Sequence, residues 1–148
     1  MNKNVFLDGN IFIDSNDHSR KSYQECYELI PYLLDNEYKI FTSCDLITTI
    51  YYILSKIDRK KALQDIQRLN KLCTIIEFGN NELSQTIKLM QKDEGFFDLE
   101  DAIQYQLALN SKCNIIISND KKFYSPNIKL HTSRSFLKAI EDKLTYAR

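Results

Sequence analysis

Hydrophobic positions along the chain change their period several times, and each change marks an element. Val5-Phe6-Leu7 is an uninterrupted apolar run that stops at Asp8-Gly9-Asn10, which predicts a buried first strand followed by a turn. Residues 11–18 mix apolar and polar types and are expected to form a loop or short turn. After Ser19 or Ser22, either of which can cap a helix, Tyr23, Cys26, Tyr27, Ile30, Leu33 and Leu34 recur at three- and four-residue spacing. Pro31 falls inside that stripe and predicts a kink or an early end, because proline donates no amide hydrogen bond and crowds the preceding turn.

The same alternation of period continues to the end of the chain. A second strand is expected over 38–43 and helical spacing over 44–56. Asp58 can cap a helix over 59–70, with Ala62, Ile66 and Leu69 as its buried stripe. Residues 72–78 are rich in β-branched types and predict a third strand. Asn80 is expected to cap a helix through Leu83, Ile87 and Met90, which Gly95 ends. A further helix runs from Asp98 to Asn110, a fourth strand covers 113–117, a short fifth covers 128–131, and a last helix covers about 133–143. This is an α/β pattern. Strands buried on both faces of a parallel sheet explain why the apolar runs lack polar alternation.

Composition narrows the function classes. A length of 148 residues with 43% hydrophobic content suits one domain over 1–148 with a full core. Lys+Arg and Asp+Glu number 20 each, so a surface-wide basic field for nucleic acid is ruled out, although local patches such as Lys56, Arg59 and Lys60 or Lys121 and Lys122 are open. No apolar run approaches the ~20 residues that span a bilayer, and the amino end does not make a signal peptide. A cytoplasmic protein without membrane attachment is expected. Four cysteines, at 26, 44, 73 and 113, form no CxxC pair, which predicts reduced thiols and gives a zinc site little support. Only three glycines are present, against a glycine-rich phosphate loop.

Four acids then stand out. Asp8 and Asp120 follow the first and fourth strands, and ligands bind beyond the carboxyl ends of parallel strands. Asp98 and Asp101 lie three apart at the start of a helix, about 60° from one another around its axis, where the positive end of the helix favours carboxylates. Glu100 points away from the face they share. Gathering Asp8, Asp98, Asp101 and Asp120 is costly unless a hard divalent ion neutralises them. Spacing alone leaves a plainer alternative open, in which Asp8 ends a strand, Asp98 caps a helix, and Asp101 and Asp120 are merely exposed.

The blocks VFLDGNIFID, FTSCDLITTIYYIL, DLEDAIQYQLAL and IISNDKKFY occur in an order that resembles the PIN-domain family of metal-dependent ribonucleases. The likeness is to its bacterial branch, which includes toxins of toxin–antitoxin pairs, and spans residues 5 to about 137. The resemblance implies a three-layer α/β/α sandwich with a mainly parallel sheet of about five strands. It also implies a Mg²⁺- or Mn²⁺-dependent endoribonuclease with RNA as substrate, and an antitoxin protein and a second copy of the chain as partners. Asp8, Asp101 and Asp120 match the family's acids and Asp98 an additional acid of this branch. Asn10, Ser43 and Asn119 match accessory positions.

One departure is the family's glutamate in the second helical segment, where this chain has Thr49. A threonine hydroxyl can hold water or meet phosphate but brings no charge to a metal. A catalytically weak RNA-binding or protein-interaction module is therefore the alternative class. Haloacid-dehalogenase-like phosphatases want a second aspartate where Asn10 stands, and a receiver domain fits the late helical acids poorly. Tyr51, Tyr52, Phe123 and Tyr124 are candidate base-stacking groups, with core packing the competing reading for Tyr51, Tyr52 and Phe123.

Overall fold

The structure is a computed structural model that describes residues 2–146. Five strands, β1 (Asn4–Leu7), β2 (Lys39–Ser43), β3 (Thr74–Ile76), β4 (Ile115–Ile117) and β5 (Lys129–His131), make one sheet in the order β3-β2-β1-β4-β5. Every pairing is parallel, with Phe6 opposite Phe41 on one side and Ile116 on the other. The helices are α1 (Gly9–Ser15), α2 (Tyr23–Asp35), α3 (Leu46–Ser55), α4 (Arg59–Leu72), α5 (Asn80–Lys92), α6 (Leu99–Asn110) and α7 (Ser133–Tyr146).

The pleat sorts the strand residues into two cores. Val5, Leu7, Ile40 and Ile117 face a layer built from α1 to α4 and α7, where Leu29, Leu33, Ile50, Leu69 and Phe136 are buried. Phe6, Phe41 and Ile116 face the opposite way, onto Ala102, Tyr105, Leu107 and Ala108 of α6. Successive residues of one strand thus serve opposite cores, which makes each strand apolar throughout and produces the expected α/β/α sandwich. Among the described residues no helix is long and apolar enough to cross a membrane.

Four local expectations change. Residues 11–18 contain most of a helix instead of a loop, because Asp8 caps α1 by accepting the Gly9 N–H at 2.7 Å. Ile11, Phe12, Ile13, Asp14 and Ser15 are all buried, so α1 has no exposed face and therefore no amphipathic period to read. Pro31 does not end α2, which continues to Asp35 while Leu29 and Leu33 on either side of it stay buried in the core. At α5 the N-cap is Gly79, not Asn80, and the Glu82 carboxylate accepts the Gly79 N–H at 2.8 Å. Finally, α4 takes Leu72 and the third strand shrinks to Thr74–Ile76.

Candidate active site

In a doubly wound parallel sheet the crevice opens where strand order reverses, beyond the carboxyl ends of the strands. Here the chain winds outward through β2 and β3 on one side of β1 and through β4 and β5 on the other, so the reversal falls between β1 and β4. Asp8 and Ser118 stand at that point, each one residue beyond its strand, and the Asp8 N–H donates to the Ile117 carbonyl at 3.0 Å. On the other side of β1, the Thr42 hydroxyl donates to the Leu7 carbonyl at 2.9 Å and fixes the strand end.

Asp8 is the most constrained of the acids. Its side chain is 6% exposed, accepts from Gly9 N, and takes the Ser118 hydroxyl at 2.7 Å and the Asn10 amide at 3.1 Å on its other oxygen. Burial raises its pKa above the ordinary carboxylate value; the Ser118 and Gly9 hydrogen bonds oppose that, the charge of Asp120 adds to it, and Gln104 pulls slightly the other way. The Ser118 hydroxyl also accepts the Asp120 N–H at 3.1 Å, so one oxygen couples the two strand-end acids. Asp120 is exposed, with its carboxylate receiving the Lys122 N–H at 2.9 Å.

The second source of carboxylates is the start of α6. Asp98 is the N-cap and accepts the Asp101 N–H at 3.0 Å, which leaves it at the helix mouth. Asp101 lies half-buried behind it. Burial first, and then the charges of Asp98, Asp8, Asp120 and Glu100, push its carboxyl up to about 7. Asp101 therefore feels the charge of the other three sequence-predicted acids across the mouth. Among the described residues, however, no three His, Cys, Asp or Glu side chains converge tightly enough to clasp one ion. A cavity of about 70 Å³ opens against Asp98, Asp101 and Asp120, walled by Phe96, Phe97, Lys122 and Tyr124. Gly95 belongs to the same wall, and a Cβ there would lie 2.4 Å from the Tyr124 ring.

Two further acids act at this mouth, Glu100, which the sequence ranks below Asp98 and Asp101, and Asp45, which it does not single out. Burial raises the pKa of Glu100, and the charges of Asp45, Asp8 and Asp98 add to it. Glu100 lies in the first turn of α6, next to Asp101 and two residues after the Asp98 cap. Asp45 stands two residues beyond the end of β2, a strand-end signal available in the sequence, and the Ser43 hydroxyl hydrogen-bonds its carboxylate. Ser43 is thereby committed to Asp45. Thr49 is exposed on α3, four residues beyond Asp45.

The remaining accessory positions separate. Asn10 bridges the strand ends, donating to Asp8 and accepting the Asn119 N–H at 3.0 Å. The Asn119 side chain turns away from the acids: it accepts from Ser133 N and Oγ and donates to Asp14 and the Cys26 sulfur, tying the loop after β4 to α1, α2 and α7. Phe123 and Tyr51 pack into or against the cores, whereas Tyr52 is exposed beneath the Lys56 ammonium, 4.3 Å from its ring centroid. The Tyr124 hydroxyl hydrogen-bonds Asp93 at 3.1 Å. A larger apolar groove of about 370 Å³, lined by Tyr27, Ile30, Leu34, Leu69 and Leu72, contains none of the predicted acids.

Comparison with known proteins is consistent across sequence and fold. A family model described as PIN domain matches residues 4–122. The chain is 48% identical over 132 residues to Ribonuclease VapC1 of Aquifex aeolicus (strain VF5), covering 89% of this chain and 92% of that protein. Its fold is similar to Mycobacterium tuberculosis VapC20, a Sarcin-Ricin loop cleaving toxin, with a TM-score of 0.64 at 14% identity over 80% of this chain and 92% of that one. It is similar also to VapBC2 from Rickettsia felis bound to a DNA fragment from its promoter, with a TM-score of 0.63 at 18% identity over 87% of this chain and 98% of that one.

Proposed function

The chain belongs to the PIN-domain family, and from that premise we propose that it is an endoribonuclease, the toxin of a VapBC-type toxin–antitoxin pair, working as one domain in the cytoplasm with Mg²⁺ or Mn²⁺. Similarity at 48% identity to a ribonuclease supports the reaction class. The observation that carries the site is the gathering of Asp98, Asp101 and Asp120 around one small cavity beside Asp8, where burial first and then the neighbouring carboxylates push Asp101 up to about 7. Uncompensated carboxylates in a cleft are the expected state of a centre built to receive positive charge.

The donor set fits a hard divalent ion, because every group it offers is a carboxylate oxygen. Asp8, Asp101 and Asp120 would hold it with help from Asp98, and Asp45 and Glu100 supply further negative charge where the family's glutamate is replaced by Thr49. When bound, the ion supplies a Lewis acid that lowers the pKa of water and polarises a phosphoryl oxygen. The protein's own part is orientation. Gly9, Asn10 and Ser118 fix the Asp8 carboxylate, and Ser118 holds the backbone of Asp120 in register with it. Lys122 beside the small cavity provides a counter-charge for an RNA phosphate, a contact weakened by salt.

An antitoxin segment and a second copy of the chain are the proposed protein partners, and the apolar groove between α2 and α4 offers the former a surface separate from the acids. The reaction is tested on structured and single-stranded RNAs, with DNA alongside, in Mg²⁺, Mn²⁺ or EDTA. Cleavage of RNA in either metal and none in EDTA is expected. RNA binding without cleavage in any metal would favour an interaction module, the reading that the neutral Thr49 supports.

A further inference from the structure

The least expected polar group in the protein lies inside α6. Gln104 is completely buried, yet among the described residues neither its amide nitrogen nor its amide oxygen has a hydrogen-bond partner. Fully buried glutamine is uncommon, and an amide with both functions unpaired costs stability that an apolar side chain of equal length would not. The rest of that stretch shows what the fold alone requires: Ala102, Ile103, Tyr105, Leu107 and Ala108 are buried and pack into the α6-side core.

Position gives the amide a purpose. Gln104 follows Asp101 by three residues and Glu100 by four, so all three lie along one face of α6, with Gln104 one turn deeper. Its amide stands near enough to Asp8 to favour that residue's charged form, without closing a hydrogen bond of ordinary geometry. It is therefore a fully buried polar group beneath the acidic mouth, carried on α6, whereas the Asn10 and Ser118 contacts to Asp8 come from α1 and from the end of β4.

We propose that Gln104 is a positioning residue for Asp8, its buried amide kept unpaired in the resting fold so that its N–H group can hold the Asp8 carboxylate in the pose that receives a divalent cation. The inference rests on the ribonuclease reading of the same site. It explains why a destabilising side chain occupies a core position. A group with a purely structural role would be satisfied by its surroundings; one kept for the site trades stability for function.

Gln104→Met keeps the length and apolar stem and removes the amide, and Gln104→Leu is a second, independent replacement. Melting of the cation-free protein, Mn²⁺ affinity by electron paramagnetic resonance and RNA cleavage are measured on all three proteins. The expected result is a melting temperature at or above that of wild type together with Mn²⁺ affinity lower by about tenfold to a hundredfold. The kcat is expected to fall with it while KM for RNA holds. Melting below wild type in both variants would mean that the amide is satisfied within the fold, and would overturn the proposal. So would unchanged Mn²⁺ affinity and kcat, with the ribonuclease reading left standing. Wild type that neither binds Mn²⁺ nor cleaves RNA would overturn both.

Discussion

Replacing Asp101 with asparagine is expected to stabilise the cation-free protein at neutral pH and to lower kcat/KM for RNA cleavage by about a hundredfold or more. The two effects come from one cause. Asp101 lies in a half-buried position where Asp98, Asp8, Asp120 and Glu100 all repel its charge, and its carboxyl is pushed from 3.8 up to about 7. Asparagine keeps the shape and removes the charge, so the repulsion goes. A carboxylate that would hold the cation is lost with it, and the Lewis acid it would support is worth several kcal/mol of transition-state stabilisation.

The pH dependence follows with a definite sign. Folded Asp101 keeps its proton to about pH 7, whereas the unfolded chain releases it near 3.8. Between those values the folded state binds the extra proton, so raising pH favours unfolding, and the stabilisation present in acid is lost as pH passes the folded value. Without cation, the contribution of Asp101 makes the melting temperature fall across that window, and Asp8, raised in the same direction, adds to the slope. Melting curves of wild type and Asp101→Asn from pH 4 to 8 check this: the variant should show the shallower decline. Equal slopes would remove Asp101 from the cluster.

The largest stability effect is expected at Phe6. It is fully buried in the central strand, between Phe41 of β2 and Ile116 of β4, and packs toward α6 in the same core as Ala102 and Tyr105. Phe6→Ala removes a ring that neighbours on three elements enclose, at a cost of about 3–5 kcal/mol. In a domain of this size that lowers the melting temperature by roughly 6–20 °C. Urea unfolding should show the lower midpoint with an unchanged slope, since the surface exposed on unfolding is nearly the same. Activity should fall as well, because α6 carries Asp101 and rests on this core.

The sequence made the architecture readable where period and burial agree. Apolar runs such as Val5-Phe6-Leu7 and Ile115-Ile116-Ile117 are strands buried on both faces, and the chain uses them so. α1 was hidden because burial on every side erased its amphipathic period, and the early end that Pro31 suggested does not occur because core packing around Leu29 and Leu33 holds α2 together through it. The four acids were legible because strand ends and a helix start have fixed places in a parallel sheet. Asp45, two residues beyond β2, stands at a strand end as well. Glu100 ranked as the weaker acid on the helical projection, and Gln104 was beyond reach, since an unpaired buried amide is visible only in three dimensions.

The acidic mouth as a divalent-cation centre is the central claim, and Mn²⁺ binding to the folded protein tests it most directly. Electron paramagnetic resonance titrations of wild type and Asp8→Asn, with circular dichroism confirming that both are folded, would decide it. The account predicts saturable Mn²⁺ binding in wild type and its loss in Asp8→Asn. Equal binding by the two proteins, or none by wild type, would contradict it.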